Sequence, residues 1–159
     1  MVGVIKFHES GVRDITCGER VTIVAPVNLY ECKLGDEVFV GPFVEIQKNV
    51  SIGKGTKVQS HTFICELVDM GDDCFVGHGV MFINDTFTTG GPARGDQSLW
   101  KRTSIGNRVS IGSNATIMPV SIADDVVIGA GSVVVSDIER PGIYAGNPAK
   151  WLRGVDESR

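Results

Sequence analysis

The chain has 159 residues, which is the size of a single domain spanning 1–159. Its 15 basic and 19 acidic side chains leave a formal net charge of −4, so we expect neither a nucleic acid nor an anionic membrane as partner. The opening stretch MVGVIKFHES lacks the apolar core of a signal peptide, and no apolar run reaches the roughly 18 residues of a membrane span. The four cysteines form no CxxC pair, so free thiols in a cytoplasmic protein are expected.

From residue 34 onward the chain repeats a pattern of six residues, with an apolar first place, a frequent glycine at the second and a small or β-branched fifth place. The first-place residues are Leu34, Val40, Ile46, Ile52, Val58, Ile64, Met70, Val76 and Phe82. The fifth-place residues are Val38, Val44, Val50, Thr56, Thr62, Val68, Cys74, Val80 and Thr86. The pattern breaks off, resumes as Ile105, Ile111 and Ile117, and continues from Ile122 after a one-residue contraction. An earlier frame holds Ile15, Val21 and Val27.

A period of six is not the period of an amphipathic helix or of an alternating strand. It predicts an all-β fold, a parallel β-helix in which three successive sixes make one triangular turn. The first and fifth places point inward, and the second-place glycine is expected at a bend that needs unusual backbone angles. A sandwich or barrel of short strands is the alternative, but neither needs so strict a period.

Three segments follow from where the pattern holds and fails. Turns of the β-helix are predicted over about 12–138, an excursion loop over about 85–104, and a C-terminal cap over about 139–159. Open ends of a β-helix invite pairing with other chains. We expect Trp151 and Leu152 to fold back over the last turn, and the opening residues through Phe7 to cover the other end. The loop is either a substrate lid or an arm that tightens an oligomer.

The spacing of the histidines argues against a metal site. His8, His61 and His78 are widely separated along the chain, and no H-x4-H pair supplies adjacent ligands. Stepping by three sixes, which is one full turn, instead stacks Pro42, Ser60 and His78 on one corner and Lys48, Glu66 and Asn84 on the next. His78 and Asn84 therefore belong to neighbouring corners of one turn, and a cleft between two copies of the chain would contain one residue from each copy.

The segments VGPFVE, IGKGTK and IGSNAT resemble those of the hexapeptide-repeat acyltransferases. The resemblance covers nearly the whole chain and implies a left-handed β-helix, a homotrimer around a threefold axis, and acetyl-CoA as co-substrate. CFVGHGVMFIND resembles the branch that acetylates 3-amino sugars on nucleotide carriers, which implies transfer to the amine of a nucleotide-linked sugar for surface-polysaccharide synthesis. SIGSNATIMPVSIADDVVIGAGSVV with AGNPAK resembles the family's coenzyme A segment, although IMPVSIADD lacks a residue and a glycine that many relatives have.

The chemistry of such a transfer assigns provisional roles. An imidazole titrates near neutral pH, so His78 is predicted to take the proton of the attacking amine, unless the leaving thiolate takes it directly. Asn84 is predicted to orient the amine and Asp85 to hold its proton. The substrate-binding set is His61, Glu66, Arg94, Trp100 and Lys101, with the loop cations facing a diphosphate. The cofactor-binding set is Ser113, Ala130, Gly131, Pro148, Lys150 and Arg153, with no metal.

Two alternatives remain open. In the first, the chain is an acetyltransferase whose acceptor is a sugar hydroxyl, serine or an antibiotic. In the second, it is a non-catalytic β-helix that serves as an assembly module. The loop and the AGNPAK segment favour an enzyme, because a scaffold does not require them.

Overall fold

The computed structural model describes residue 6 and residues 9–155, which wind into about seven turns of short strands. The first four turns hold β1 (Val12–Arg13), β2 (Thr16–Cys17), β3 (Thr22–Ile23), β4 (Asn28–Tyr30), β5 (Lys33–Leu34), β6 (Phe39–Val40), β7 (Glu45–Ile46), β8 (Ser51–Ile52), β9 (Lys57–Val58), β10 (Phe63–Ile64), β11 (Val68–Met70) and β12 (Phe75–Val76). The remaining turns hold β13 (Met81–Phe82), β14 (Thr103–Ile105), β15 (Ser110–Ile111), β16 (Thr116–Ile117), β17 (Ser121–Ile122), β18 (Val126–Ile128), β19 (Val133–Val134), β20 (Gly142–Gly146) and β21 (Ala149–Arg153).

From β1 to β19, every third strand stacks into one of three sheets, which form the faces of a triangular prism, and β20 and β21 both join the third sheet. Face 1 is β1-β4-β7-β10-β13-β16-β19, face 2 is β2-β5-β8-β11-β14-β17, and face 3 is β3-β6-β9-β12-β15-β18-β20-β21. Neighbouring strands are parallel and in register, so that Ile64 lies directly over Ile46. The prediction of an all-β parallel β-helix is confirmed, and its left hand remains what the family resemblance implies.

The interior matches the predicted places. All nine first-place residues from Leu34 to Phe82 are buried, and so are the fifth-place residues from Val38 to Val80. The two buried threonines at fifth places keep their hydroxyls satisfied, because Thr56 Oγ1 donates to the Gly71 carbonyl and Thr62 Oγ1 to the Gly77 carbonyl. Thr86 departs from the pattern and is only partly buried, since the chain has already left the prism there.

The prediction about second-place glycines is wrong in its physical reason. Gly35 and Gly77 carry no positive φ; a Cβ on Gly77 would lie 2.7 Å from the Ser113 amide nitrogen, so close approach to the next turn excludes a side chain. The left-handed backbone falls at the fourth place instead, as at Asn49 (φ 59) and Asp73 (φ 53). Asparagine and aspartate tolerate that conformation better than most residues.

The excursion loop runs over 83–102 and leaves from the corner between faces 1 and 2. The chain rejoins the prism at Thr103, slightly earlier than expected. Within the loop, a 3-10 helix at Gln97–Leu99 is capped by Asp96, whose side chain accepts from the Ser98 amide.

At the C-terminal end, β20 and β21 form an antiparallel hairpin on face 3. The Arg140 guanidinium lies 4.2 Å from the centre of the Trp151 ring, so the chain does fold back here. Trp151 and Leu152 stay 40% and 57% exposed, however, because β20 and β21 continue the stack of strands in face 3 beyond β18. The predicted cover by the opening residues falls largely on 1–5 and 7, which lie outside the described residues. Across the described ranges, no helix has the length and apolar character needed to cross a membrane.

Candidate active site

The corner between faces 3 and 1 carries five of the predicted site residues, and we call it the imidazole edge. Its members are His61, His78, Ser113, Ala130 and Gly131. Backbone hydrogen bonds stack them turn on turn: Asn114 N donates to the His78 carbonyl at 2.8 Å, and Gly131 N donates to the Ser113 carbonyl at 2.9 Å. The predicted stack of Pro42, Ser60 and His78 is confirmed, because His61 N donates to the Pro42 carbonyl at 3.2 Å and Gly79 N to the Ser60 carbonyl at 3.0 Å.

His78 is exposed at the middle of this edge. Its backbone N–H donates to Ser113 Oγ at 3.2 Å, which ties it to the next turn. Within the described part of the chain, its imidazole makes no hydrogen bond or ion pair. Both ring nitrogens are therefore available to a ligand.

The C-terminal half of the imidazole edge is open. Ala130 and Gly131 are exposed, and a Cβ on Gly131 would meet nothing within 4 Å. The hairpin turn continues the edge, because Gly146 N donates to Ser132 Oγ at 3.1 Å. Pro148 and the exposed Lys150 therefore lie next to it. Arg153 does not, since it ends β21 at the far side of the hairpin, opposite Ile143.

One aromatic residue on this edge was missed by the sequence reasoning. His61 is exposed, and its ring stacks on Phe43 with ring centres 4.8 Å apart and planes tilted by 17°. Phe43 lies one full turn before His61 in the sequence, so the same step that aligned His78 with Ser60 contained the signal.

The corner between faces 1 and 2 carries the remaining candidates, and we call it the loop edge. Its members are Lys48, Glu66 and Asn84, stacked as predicted. Lys48 Nζ lies 3.8 Å from Glu66 Oε1, and Asn84 Nδ2 donates to the Glu66 backbone carbonyl at 3.3 Å. Burial raises the pKa of the Glu66 carboxyl, and the Lys48 ammonium partly opposes this shift. Asn84 is thus held by its amide nitrogen, with its oxygen left for another partner.

The carboxylate of Asp85 holds the base of the loop. One oxygen accepts from the Phe87 amide at 2.9 Å and the other from the Ala93 amide at 2.7 Å. This arrangement gives Asp85 a structural task that the sequence did not indicate.

The predicted loop cations point to different places. Lys101 is exposed, and its backbone N–H donates to the Asn84 carbonyl at 2.9 Å. Arg94 is exposed near the loop tip with φ 52, and Trp100 is half-buried where the 3-10 helix ends. Arg102 pairs with Asp69 on face 2.

His78 and Asn84 lie at opposite edges of face 1, with β13 between them. Strand β13 and the bends that flank it separate the two corners, so one copy of the chain holds the two side chains at different corners. The outward side of face 1 carries Phe63, Met81 and Val133, of which Met81 is 41% exposed, together with the polar Asn28, Glu45 and Thr116. Face 2 presents Lys33, Ser51, Asp69, Ser104 and Ser121 outward.

No group of three or more histidine, cysteine or acidic side chains in the described ranges is arranged to hold a metal ion. The described cysteines, Cys17, Cys32, Cys65 and Cys74, are free thiols.

Comparison with known proteins supports the repeat. Residues 31–66 match the family described as bacterial transferase hexapeptide (six repeats), and residues 102–136 match the hexapeptide repeat of succinyl-transferase. The bifunctional protein GlmU of Neisseria meningitidis serogroup C is 37% identical over 110 residues, which are 69% of this chain and 22% of that protein. The chain therefore spans about a fifth of the length of this relative.

Solved structures share the fold. An acetyltransferase from Vibrio cholerae in complex with acetyl-CoA is 25% identical, with a TM-score of 0.63 over 78% of this chain and 71% of that one. A variant of perosamine N-acetyltransferase from Caulobacter crescentus, in complex with CoA and GDP-perosamine, is 24% identical, with a TM-score of 0.62 over 90% of this chain and 57% of that one. With its six-residue repeat, its three parallel faces and these matches, the chain belongs to the hexapeptide-repeat transferase family.

Proposed function

We propose that the chain is an acetyl-CoA-dependent N-acetyltransferase that acts, as a homotrimer in the cytoplasm, on the amine of a nucleotide-linked amino sugar, most specifically a 3-amino sugar used for surface polysaccharide. The observation that carries the proposal is the division of polar groups between the two edges of face 1. An unpartnered imidazole lies at one edge and an asparagine with a free amide oxygen lies at the other, among the residues that the structure describes.

A trimer with face 1 turned toward its threefold axis would bring the two groups of polar residues together. In that arrangement the imidazole edge of each copy meets the loop edge of the next, and Phe63, Met81 and Val133 are covered around the axis. Each of the three clefts then contains His78 from one copy and Asn84 from its neighbour. Face 2, with its polar outward residues, stays in solvent.

The reaction follows from the groups in such a cleft. The neutral amine attacks the thioester carbonyl, a C–N bond forms, and the C–S bond then breaks to release CoA. His78 accepts the proton that the amine loses, or the departing thiolate takes it. Asn84 Oδ1 accepts a hydrogen bond from the amine and aligns its lone pair with the carbonyl.

The negative oxygen of the tetrahedral intermediate needs a fixed donor. The Ser113 N–H lies one turn beyond His78 and has no acceptor among the described residues. It suits this role, because a thioester lying along Ala130 and Gly131 would bring its carbonyl to that turn. Lys150 beside the hairpin turn is then near the phosphates of the carrier.

A solved structure with the same fold also supports the acceptor class. The perosamine N-acetyltransferase that shares this fold was solved with a nucleotide-linked amino sugar and CoA together. The loop beside Asn84 adds the exposed cations Arg94 and Lys101, whose charge suits a diphosphate.

The decisive experiment incubates the protein with acetyl-CoA and a panel of nucleotide-linked amino sugars, with release of the CoA thiol as readout and mass spectrometry of the product. Matched sugars that carry a hydroxyl in place of the amine are the control. We expect thiol release with at least one amine and none with its hydroxyl counterpart. Release with no amine of the panel, or equally with the hydroxyl controls, overturns the proposed acceptor. Sedimentation should give three times the 17.0 kDa of one chain.

A further inference from the structure

Phe43 is placed where a phenylalanine serves neither the core nor the backbone. Its side chain is 56% exposed and its φ is 61°, a left-handed conformation that bulky residues rarely adopt. The same fourth place further along this edge is occupied by Gly79, Asn114 and Gly131, residues that accept such a backbone readily. An aromatic side chain here therefore calls for a reason other than folding.

The next turn of the edge also has an exposed ring on a left-handed backbone. His61 also has a left-handed backbone, with φ 63°, and is also exposed. The two rings lie nearly parallel at 4.8 Å, with their planes tilted by 17°. Two adjacent turns of the imidazole edge thus present a stacked pair of planar rings to solvent. Such a pair offers a π-face to another planar ring, and stacking of this kind is how proteins bind nucleobases without selecting one base.

The position of the pair relative to His78 matches the proposed acceptor. His61 lies one turn and Phe43 two turns toward the N-terminal end of the edge, at about 4.8 Å per turn. Phe43 is therefore about 10 Å along the edge from His78. A base stacked on its outer face lies one ring spacing further, a distance that a ribose and diphosphate bridge. Ser113, Ala130 and Gly131 continue the edge in the opposite direction, where the donor is proposed to lie.

We propose that Phe43 and His61 form a stacking platform for the nucleobase of the acceptor, so that the nucleotide occupies the N-terminal half of the cleft and acetyl-CoA the C-terminal half. The identity of the ligand as an acceptor rests on the proposed function, whereas binding of a nucleotide to the platform does not.

The first test measures binding without catalysis. Saturation-transfer NMR and calorimetry with uridine, thymidine and guanosine diphosphates compare the wild-type protein with Phe43→Leu and Phe43→Tyr. We expect the base protons to receive saturation in the wild type, Phe43→Leu to raise Kd by about 5- to 100-fold, and Phe43→Tyr to bind nearly as the wild type does. Phe75→Leu, which removes another exposed phenylalanine, from face 3, is the matched control and should leave Kd unchanged. Equal binding by the wild type and Phe43→Leu would overturn the platform.

The second test uses acetyl transfer. Phe43→Leu should raise KM for the nucleotide-linked sugar by a similar factor and leave KM for acetyl-CoA and kcat nearly unchanged. Nucleotide binding that depends on Phe43 in a protein that acetylates no amino sugar would support the platform and overturn the proposed function. Acetyl transfer that is insensitive to Phe43→Leu would overturn the platform and leave the function standing. Loss of the trimer in Phe43→Leu would also overturn it, since Phe43 would then be an assembly contact.

Discussion

The two edges of face 1 belong to the same turns of the prism, yet their polar groups are used differently. Along the imidazole edge, His61 and His78 are exposed, and their rings form no hydrogen bond or ion pair with the described residues. Along the loop edge, Glu66 faces Lys48, Asn84 Nδ2 is held by a backbone carbonyl, and Asp85 beside it is bound to two loop amides. One edge is open to a ligand, and the other is largely committed to holding its own loop.

This difference between the edges indicates which candidate residues transfer a proton and which orient the substrate, a distinction that residue type alone does not make. The Asp85 carboxylate already accepts hydrogen bonds from two loop amides, so it is engaged in holding the loop, whereas the His78 imidazole has no partner among the described residues. Proton transfer is therefore assigned to the imidazole edge and orientation of the amine to the loop edge. Since the two edges of one copy are a face apart, the assignment requires two copies for each site.

The largest expected effect comes from removing the free imidazole. His78→Ala should lower kcat by about 10²–10⁴ if the imidazole accepts the proton in the rate-limiting step. The melting temperature should stay at the wild-type value, because the side chain is exposed and has no partner to lose among the described residues. Thiol release at saturating substrates and a thermal melt make the measurement. Unchanged kcat would assign the final proton to the departing thiolate.

The second effect tests whether each site is shared between copies. Asn84→Ala alone should lower kcat/KM by about 10- to 100-fold, as expected for one lost hydrogen bond to an amine. Subunits carrying His78→Ala and subunits carrying Asn84→Ala are then unfolded together, mixed equally and refolded. Three quarters of random trimers are mixed and each holds one intact cleft, so about a quarter of the wild-type activity should return.

That mixing experiment also has a clear negative outcome. If both side chains acted within one copy of the chain, every mixed trimer would still lack an intact site and the activity would stay at the level of the single variants. Each variant refolded alone is the control for recovery during the procedure.

A third, smaller effect concerns the two halves of the imidazole edge. Ala130→Leu puts a bulkier side chain into the open C-terminal half, where the pantetheine arm is proposed to lie, and should raise KM for acetyl-CoA about tenfold. KM for the acceptor should stay unchanged. The matched control is Phe43→Leu, for which the opposite pattern is expected. Equal effects of both variants on both substrates would contradict the division of the cleft.

The prism and its stacked strands were predictable because the sequence repeats with a fixed period of six residues. The first-place residues from Leu34 to Phe82 are apolar, and this alone predicts that they point inward. Because the strands are parallel and in register, each residue then lies on its counterpart one turn later. The neighbours of His78 and of Asn84 followed from counting alone. Handedness is not contained in such a count, since either hand gives the same inward places.

What could not be predicted depends on backbone geometry that side-chain patterns do not encode. The second-place glycines suggested a bend, but the spacing between turns, not the φ angle, is what excludes their side chains. The two acceptor bonds of Asp85 depend on the path of the 83–102 loop, which follows no period. Phe43 was overlooked because a phenylalanine in an apolar-rich repeat is expected to be buried, whereas its place in the six points outward.

The structural role of Asp85 gives a fourth prediction. Asp85→Ala leaves the Phe87 and Ala93 amides without their acceptor and should loosen the loop, so that trypsin cleaves at Arg94 or Lys101 about 3–10 times faster. Asp137→Ala, which removes a similar bond to the Ser121 amide far from the loop, should leave the cleavage rate unchanged. If Asp85→Ala abolished kcat while the loop stayed protected, Asp85 would act on the substrate instead.

The smallest effect is expected at Glu66. Burial raises the pKa of its carboxyl, with Lys48 partly offsetting the shift. Because the pKa is higher in the folded chain than in the unfolded one, the carboxyl favours folding below its unfolded pKa, and this contribution is lost as pH rises through the folded pKa. Glu66→Gln stays neutral, so its Tm should exceed the wild-type Tm at about pH 8 and equal it near pH 4.

The exposed Glu139 supplies a matched control, since Glu139→Gln should leave Tm nearly unchanged at both pH values. A Glu66→Gln variant that melts below the wild type at about pH 8 would mean that attraction to Lys48 outweighs burial. The buried carboxyl would then stabilise the loop edge as half of an ion pair. It would also hold Asn84 more firmly than the single hydrogen bond to the Glu66 carbonyl indicates, and the contrast with the open imidazole edge would widen.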